Sequence, residues 1–229
     1  MRIEEITERL MSVPLFNDLS KEEIQPFVSI ARYRFYKPKM YVFMQGDPLE
    51  NVYFVHSGRV KIFKTEVTGK EQIVSIIEAG GMFPHAGFFR NGNYPAFAEI
   101  MDDTHLLMIP IQKFEEILIS HPELCIKLFK VLGGKIIELQ SRLEEQILHN
   151  TYEQIIMLLL RLCKTNGEKI GDIYRITTSF TNRELANMIG TSRETVSRTL
   201  NGLKKKKYLM TDEDGFFLIN VKDLHQELL

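Results

Sequence analysis

The stretch Arg193–Lys207 (RETVSRTLNGLKKKK) decides the interpretation of this chain, because it has the pattern of a short exposed helix. It follows an amphipathic segment, TNRELANMIG, that ends at Gly190, and a two-residue turn, Thr191-Ser192. Glycine directly after a helix supplies a sharp turn. Thr181 with Glu184, and Thr191 with Glu194, each have the spacing of a capping box. The sequence therefore predicts two helices joined by a tight turn.

The two predicted helices have apolar positions that match. Those expected to face inward are Leu185, Ala186 and Ile189 of the first helix and Val196, Leu200 and Leu203 of the second. The small side chain of Ala186 suits a close helix crossing. After Lys207, two short apolar runs flank Asp214-Gly215, which is a hairpin signal. A helix-turn-helix followed by a hairpin is the winged form of that motif.

The opposite side of the second helix presents polar side chains that fit a DNA major groove. Arginine bonds guanine O6 and N7 through a bidentate fork, and glutamate accepts from cytosine N4. Four lysines at the helix end suit both phosphate and the helix dipole. We expect the DNA contacts to come from Thr181, Ser192, Arg193, Glu194, Ser197, Arg198, Lys204 and Lys205. The alternative is two surface helices with a solvated charged face, in which Glu194 only caps and the lysines only solubilise.

Composition and local charge agree with an intracellular DNA-binding protein. The chain has 229 residues, long enough for two modest domains or for one large one, and a formal net charge of -1. Residues 193–207 nevertheless hold six Lys/Arg against one Asp/Glu, so positive charge is concentrated at the predicted groove-facing helix. No apolar run is long enough for a membrane span and no secretory signal follows Met1, so we expect a cytoplasmic protein with no membrane partner.

The two cysteines do not predict a metal centre. Cys125 and Cys163 are too few and too distant for an iron–sulfur cluster or a structural zinc site within one chain. Both lie in apolar helical contexts, and we expect buried free thiols and no metal.

Upstream of the helix-turn-helix, short apolar runs separated by turn residues occupy positions 32 to 110. Strands of four to seven residues at this spacing predict an antiparallel β-barrel or jelly roll, after short helices in residues 1–30. The expected fold is α+β, with a β-barrel domain (1–120), a long dimerisation helix (121–149) and a winged helix-turn-helix domain (150–229).

The predicted long helix carries an apolar series in steps of four, three, four, three and four from Cys125 to Leu143. This spacing is typical of a coiled-coil seam. A second apolar set (Leu124, Leu128 and Val131) would cover the barrel while the seam meets a second copy. The alternative is a helix that packs only on its own barrel. We expect a homodimer interface formed by Phe129, Leu132, Ile136, Leu139 and Leu143.

A β-barrel, a dimer helix and a winged helix-turn-helix in this order resemble the CRP/FNR family of bacterial transcription regulators. The resemblance covers nearly the whole chain and rests on Gly46-Asp47, Tyr53–Val55, Ser57-Gly58 and Val60–Ile62 in the barrel and on Ser192–Arg198 (SRETVSR) in the second helix. It implies a homodimer that binds double-stranded DNA at an inverted repeat and contacts RNA polymerase, with the polymerase contact expected in loops such as Lys164–Glu168. It also implies an effector in the barrel that resets the angle between domains around Asn150.

The resemblance also suggests base contacts. Arg193 would contact guanine, Glu194 cytosine, and Arg198 a guanine or a phosphate. Family members with Arg, Glu and Arg at these positions read TGTGA half-sites, whereas FNR-type members use Glu, Ser and Arg on TTGAT. This chain holds both sets, and Arg193 favours a TGTGA-like half-site.

The segment of the barrel that the resemblance assigns to an effector departs from the cyclic-nucleotide pattern. In GGMFPHAGFFRNGNYPAFAEI (80–100), Pro84-His85 replaces the Gly-Glu that would hold the ribose, and Tyr94-Pro95 replaces the Arg-Ser that would hold the phosphate. Proline has no N–H to donate to a phosphate. We therefore expect no cofactor and no cyclic AMP, with an unidentified small-molecule effector.

Several alternatives for this segment stay open. Haem remains one, because His85 lies where a CO-sensing relative places an axial histidine. The aromatic group Phe83, Phe88, Phe89, Tyr94 and Phe97 is either barrel core or the lining of an apolar pocket. The candidate effector residues are His85, Phe88, Arg90 and Tyr94. Family members from Firmicutes, including arginine-deiminase-pathway regulators, also lack the nucleotide residues, which suggests targets in arginine or anaerobic metabolism.

Two other classes compete with a regulator. An enzyme needs a nucleophile or acid–base group beside an orienting partner, and the sequence has no HExxH, GxSxG or P-loop spacing. We expect no enzyme activity. A cyclic-nucleotide-binding signalling module that uses its winged helix for protein contacts is the second alternative.

Overall fold

A computed structural model describes residues 3–17, 19–67, 69–89 and 92–228. The chain forms two compact units, Met1–Ile137 and Glu138–Leu229. The division falls inside the longest helix rather than at a loop.

The N-terminal unit combines helices with eight strands. Its helices are α1 (Ile3–Met11), α2 (Lys21–Ile30), α3 (Ile111–Ser120) and the first part of α4 (Pro122–Leu148). Its strands are β1 (Arg32–Tyr36), β2 (Tyr41–Phe43), β3 (Asn51–Ser57), β4 (Val60–Thr65), β5 (Glu71–Ile77), β6 (Met82–Phe83), β7 (Phe97–Ile100) and β8 (Thr104–Pro110). They form two antiparallel four-stranded sheets, ordered β1-β8-β3-β6 and β2-β7-β4-β5. This confirms the predicted antiparallel barrel or jelly roll.

Strand β3 explains how the unit packs, because both of its faces are buried. Tyr53 and Val55 point between the two sheets, into a cluster that also contains Phe43 and Tyr94. Val52 and Phe54 point the other way, into a second cluster formed with the helices. Successive side chains of a strand alternate between faces, so a run of apolar residues such as VYFV joins two core layers.

The first part of α4 belongs to the helical layer. Leu124 and Leu128 are buried in the cluster on the outer side of β3, and Val131 packs against it. These are the three residues that the sequence assigned to the barrel-facing side of the helix, so that part of the prediction is confirmed.

The C-terminal unit contains the remainder of α4 and a small α+β fold. Its elements are α5 (Thr151–Asn166), β9 (Gly167–Ile170), β10 (Ile173–Ile176), α6 (Asn182–Ile189), α7 (Arg193–Lys205), β11 (Leu209–Thr211), β12 (Phe217–Ile219) and α8 (Val221–Gln226). The strands form one antiparallel sheet in the order β11-β12-β10-β9. The predicted hairpin around Asp214-Gly215 is present as β11 and β12.

Three sequence-based interpretations need correction. The cap of α7 is Ser192, whose hydroxyl accepts from the Thr195 amide, so the predicted Thr191–Glu194 capping box does not form. Phe89 is 56% exposed and is not barrel core. Lys164–Glu168 is not a surface loop, since it contains the end of α5 and the start of β9.

Within the described residues, no helix is both long and apolar enough to cross a membrane.

Candidate nucleic-acid interface

The turn before α7 is fixed by backbone geometry. Gly190 has a left-handed backbone (φ 77°), which glycine adopts without steric cost, and its N–H donates to the Ala186 carbonyl at 2.9 Å. The Thr191 N–H donates to the same carbonyl at 3.0 Å. At the start of α6, the Thr181 side chain and Glu184 form the predicted capping box. The turn that leads into α7 is therefore held by hydrogen bonds of the kind that the sequence pattern predicts.

Helix α7 has one buried side and one exposed side. Val196, Thr199, Leu200 and Leu203 are buried, as are Leu185, Ala186 and Ile189 on α6. Arg193, Glu194 and Arg198 are exposed and Ser197 is half-buried. The structure thus brings together the four predicted base-reading residues on one presented face, which we call the reader face.

The end of α7 carries the positive charge. Lys204 and Lys205 occupy its last turn and are exposed, where they complement the negative end of the helix dipole. The Lys204 ammonium lies 6.0 Å from the centre of the Phe217 ring of β12. Lys206 is the C-cap residue, and its ammonium pairs with the carboxylate of Glu227. Two of the four lysines therefore have partners on the protein, and Lys205 and Lys207 extend the exposed charge.

The turn between β11 and β12 is acidic, although it lies next to the predicted DNA-binding helix. Asp212, Glu213 and Asp214 are consecutive. Arg175 of β10 donates to Asp212 at 2.7 Å and to Asp214 at 3.1 Å, while Glu213 is exposed. Phosphate contacts need positive charge. The tip of this hairpin is therefore poorly suited to the DNA backbone.

The predicted dimer residues lie on α4 with unequal exposure. Phe129, Ile136, Leu139 and Leu143 are 71%, 57%, 55% and 61% exposed. Leu132 is partly buried and packs against the helical core cluster. Ile126, Ile137, Ile147 and Leu148 widen the exposed apolar strip. Contiguous apolar surface of this kind marks an interaction site.

Comparison with known proteins gives two family matches, which together span both units. The family model for the cyclic nucleotide-binding domain matches residues 33–121, and the model for the Crp-like helix-turn-helix domain matches residues 153–227. The chain belongs to the CRP/FNR family of DNA-binding transcription regulators.

Two relatives and one solved structure illustrate the CRP/FNR match. The anaerobic regulatory protein of Bacillus subtilis is 26% identical over 212 residues, covering 92% of this chain and 89% of that protein. The cyclic AMP receptor protein of Thermus thermophilus is 28% identical, covering 84% and 86%. A mutant of CooA from Carboxydothermus hydrogenoformans has the same fold, with a TM-score of 0.75 at 24% identity and coverage of 92% and 91%.

In this CRP/FNR chain, two of the candidate effector residues, Phe88 and Tyr94, lie in different core clusters. Tyr94 is buried between the sheets, whereas Phe88 packs in the other cluster, with its ring 5.6 Å from that of Phe114. His85 is half-buried and follows β6 in the segment between β6 and β7, and Arg90 lies outside the described residues.

Aromatic side chains fill the space between the sheets. Tyr94 stacks on Phe43 with ring centroids 3.7 Å apart, and Tyr53 stacks on Phe83 at 5.2 Å. The Tyr94 hydroxyl donates to the Asn51 carbonyl and accepts from the Asn51 N–H, both at 3.0 Å. Burial raises the pKa of both Tyr53 and Tyr94, so both hydroxyls stay protonated.

The two cysteines are free thiols that differ in burial, since Cys163 is buried and Cys125 is only half-buried. Burial raises the pKa of the Cys163 thiol to about 12, which keeps it in the unreactive protonated form at neutral pH. The Cys125 thiol donates to the Leu118 carbonyl at 3.2 Å. Among the described residues no three His, Cys, Asp or Glu side chains are grouped so that they could hold a metal ion.

Proposed function

We propose that this regulator acts as a homodimer on an inverted repeat of TGTGA-like half-sites, with one α7 in each of two successive major grooves. The observation that carries the proposal is the reader face, where Arg193, Glu194, Ser197 and Arg198 share the exposed side of a helix whose other side is buried. Arg193 reads guanine and Glu194 reads cytosine, since these pairs match donor to acceptor. Arg198 contacts a guanine or a phosphate.

The supporting contacts to phosphate come from residues around the reader face. Lys204 and Lys205 supply positive charge at the end of α7, and the hydroxyls of Ser192 and Thr181 lie at the starts of α7 and α6. Contacts of this type fix the register of a protein on DNA without reading its sequence. Both hydroxyls cap their helices, so they serve the helix ends as well.

Dimerisation is proposed through the exposed strip on α4. Phe129, Ile136, Leu139 and Leu143 form its centre, and Leu132 contributes the part that the barrel core leaves exposed. A twofold dimer requires half-sites related by the same symmetry, with centres about one helical turn apart. This geometry is the reason for expecting an inverted repeat.

The test is fluorescence anisotropy of the purified protein on a TGTGA-N6-TCACA duplex and on a scrambled duplex, at one fixed salt concentration. Tight binding to the first duplex alone is expected. Arg193→Ala should weaken DNA binding by about 1–3 kcal/mol, through the contact with one base pair. Replacing that base pair should then leave the affinity of the variant unchanged. Lys205→Ala should weaken binding to both duplexes alike. Loss of selectivity with Lys205→Ala but not with Arg193→Ala would contradict the assignment.

We further propose that the barrel does not take a cyclic nucleotide. What supports this is Tyr94, which is buried between the sheets and is held there by two hydrogen bonds to Asn51. Pro84 and Pro95 also lack the N–H groups that a phosphate needs. Titration of the DNA complex with cyclic AMP should leave its affinity unchanged, and DNA binding that appears only with cyclic AMP would support the alternative of a nucleotide-responsive module. A haem-responsive module, the other alternative, would be revealed by a Soret band after haem addition that disappears in His85→Ala.

An effector of another kind, acting by reorienting the DNA-binding domains, remains part of the proposal. Such an effector must bind one orientation better than the other in order to shift the balance. The similarity to the anaerobic regulatory protein of Bacillus subtilis supports a role in anaerobic metabolism. A role in arginine metabolism stays part of the proposal on the resemblance to arginine-deiminase-pathway regulators alone. Contact with RNA polymerase would then link DNA binding to activation or repression of transcription, in a bacterial cytoplasm.

A further inference from the structure

The end of α4 and the start of α5 form a corner that is held together by its own side chains. We call residues 145–154 the elbow. The Asn150 side chain accepts from the Tyr152 and Glu153 N–H groups, and the Glu153 carboxylate accepts from the Asn150 N–H at 3.1 Å. Glu153 also bonds His149 Nδ1 at 3.0 Å, and Gln154 donates to the His149 carbonyl at 2.8 Å. The elbow is therefore held by side-chain hydrogen bonds in the orientation that this structure shows.

An ion pair extends the elbow into the middle of α5. Arg161 Nη1 contacts both carboxylate oxygens of Glu145, at 2.9 and 2.7 Å. The two side chains are only 19% and 22% exposed, so solvent screens this pair less than it screens a surface pair. Because Glu145 is on α4 and Arg161 on α5, the pair sets the angle between these helices.

The elbow also bonds to the segment just before the reader helix. Gln146 Nε2 donates to the carbonyl of Ile189 at 3.1 Å. Ile189 is the last residue of α6, and its carbonyl is one of those that a helix end leaves without an intrahelical partner. Four residues later, Arg193 begins α7 and the reader face.

A second bond from the elbow reaches the other end of the reader helix. The Tyr152 hydroxyl donates to Glu227 Oε1 at 2.8 Å, and the Lys206 ammonium pairs with the same oxygen. Lys206 is the C-cap of α7. The elbow thus contacts the end of α6, just before the reader helix, and is linked through Glu227 to the C-cap of the reader helix, both through residues distant in sequence.

We propose that Gln146 and Glu227 are positioning residues for DNA recognition, which set the orientation of the reader helix relative to the dimer helix. Gln146 lies one turn beyond Leu143, the last residue of the proposed dimer seam, on the same continuous helix. The C-terminal end of the seam, Leu139 and Leu143, therefore lies in the same compact unit as the elbow contacts. The inference rests on the proposed dimeric DNA-binding function, and it assigns the spacing between half-sites to the elbow.

The test compares operators that differ only in spacer length. An operator is first selected from a random-sequence duplex library with the wild-type protein. The affinity of the protein is then measured for the selected operator, for operators whose spacer is one base pair shorter or longer, and for a duplex with a single half-site. Each added base pair rotates one half-site relative to the other by roughly 35°. The wild-type protein should discriminate against the altered spacers.

The variants are Gln146→Glu, which keeps the shape but removes the donor, and Glu227→Gln, which removes the charge. Each should reduce spacer discrimination by about fivefold, the size of one lost hydrogen bond, while the affinity for the single half-site stays within about twofold. Gln226→Glu, at an exposed neighbouring position, is the control for added charge and should keep full discrimination. Equal loss for all duplexes, or unchanged discrimination, would overturn the proposal.

A measurement without DNA separates this proposal from the proposed function. Hydrogen–deuterium exchange of the free protein should become faster in residues 189–207 of both variants, with unchanged exchange in β3 and β8. If library selection yields no operator, the proposed function fails, and the exchange result alone decides whether the elbow holds the reader helix. Unchanged exchange in residues 189–207 would refute the positioning role.

Discussion

The ring of Tyr94 lies flat on the ring of Phe43 between the two sheets, with centroids 3.7 Å apart and planes 4° from parallel. Both side chains are buried. The Tyr94 hydroxyl bonds the backbone of Asn51 in β3, so the loop that precedes β7 is tied to the opposite sheet. An aromatic side chain of the protein thus occupies interior space of the barrel.

Removing the Tyr94 ring should therefore destabilise the barrel strongly. Tyr94→Ala leaves a cavity and should lower the free energy of unfolding by about 3–5 kcal/mol, as for other large-to-small core changes. Urea denaturation followed by circular dichroism measures this change. The matched control is Tyr41→Ala, since Tyr41 is 44% exposed, and it should cost about 1 kcal/mol or less. Equal effects of the two changes would mean that Tyr94 is not a core residue.

Removing only the Tyr94 hydroxyl should give an intermediate effect. Tyr94→Phe keeps the stack on Phe43 but leaves the N–H and carbonyl of Asn51 without their partner, which should cost about 1–3 kcal/mol. The same denaturation experiment measures it. A stability equal to that of the wild type would show that solvent replaces both hydrogen bonds.

The acidic turn between β11 and β12 should weaken DNA binding, because its carboxylates repel the DNA phosphates. Reversing one of these charges should therefore raise the affinity. Glu213→Lys places a positive charge at the exposed tip and should raise affinity for operator and scrambled duplexes equally. The slope of log affinity against log salt should steepen by about 0.9 for each new phosphate contact. Anisotropy at several salt concentrations measures both quantities. Glu22→Lys, an exposed position on α2, is the charge-matched control, and a gain there of the same size would mean that only net charge matters.

The contact between Lys206 and Glu227 should make stability depend on pH. The Lys206 ammonium, with help from the Tyr152 hydroxyl, lowers the pKa of Glu227 below its ordinary value of 4.5, and Glu227 raises the pKa of Lys206. Because the folded state favours ionised Glu227, this stabilisation is complete above pH 4.5 and is lost as pH falls through the lowered pKa. At alkaline pH it is lost as pH rises through the raised pKa of Lys206.

Calorimetry of Glu227→Gln across this pH range tests the linkage. The melting temperature should lie below that of the wild type at neutral pH, and the two should converge in acid once Glu227 is protonated. Glu213→Gln is the control, since Glu213 is exposed on the hairpin turn, and it should match the wild type throughout. A difference for Glu227→Gln that persists unchanged into acid would contradict the ionic origin of the contact.

Much of this fold follows from local sequence patterns, and the parts that do not follow have physical reasons. The apolar run of β3 and the capping box of Thr181 and Glu184 are local, so the sequence predicts them. Ser192 rather than Thr191 caps α7, because adjacent hydroxyl residues offer the same chemistry and packing selects between them. The hairpin of β9 and β10 was missed, although Gly171-Asp172 between two short runs was a usable signal.

The candidate sites divide in the same way. The exposed reader face is predictable, because the 3.6-residue period places Glu194 and Arg198 opposite Val196 and Leu200, with Ser197 at the edge of that face. The inward position of Tyr94 is not, since the same aromatic residues suit a pocket wall and a filled core. The bond from Gln146 to Ile189 joins residues 43 positions apart. It depends on how α4 and α6 pack, which no local pattern encodes.

The exposed apolar strip on α4 gives the last prediction, which concerns assembly. Leu139→Glu places a charge in the middle of the proposed seam, where a dimer would bury it at high cost. The protein should then sediment as a monomer at micromolar concentration and should bind the inverted repeat no better than a single half-site. Sedimentation velocity and anisotropy measure the two effects.

Ser141→Glu is the matched control, because Ser141 lies on nearly the opposite side of α4 from Leu139, given 3.6 residues per turn. It should remain dimeric and should bind the inverted repeat like the wild type. Phe129, Ile136 and Leu143 share the exposed strip with Leu139, so a charge at any of them should act in the same direction. A Leu139→Glu protein that still sediments as a dimer would place the interface elsewhere, and the reader helices would then need a different symmetry axis.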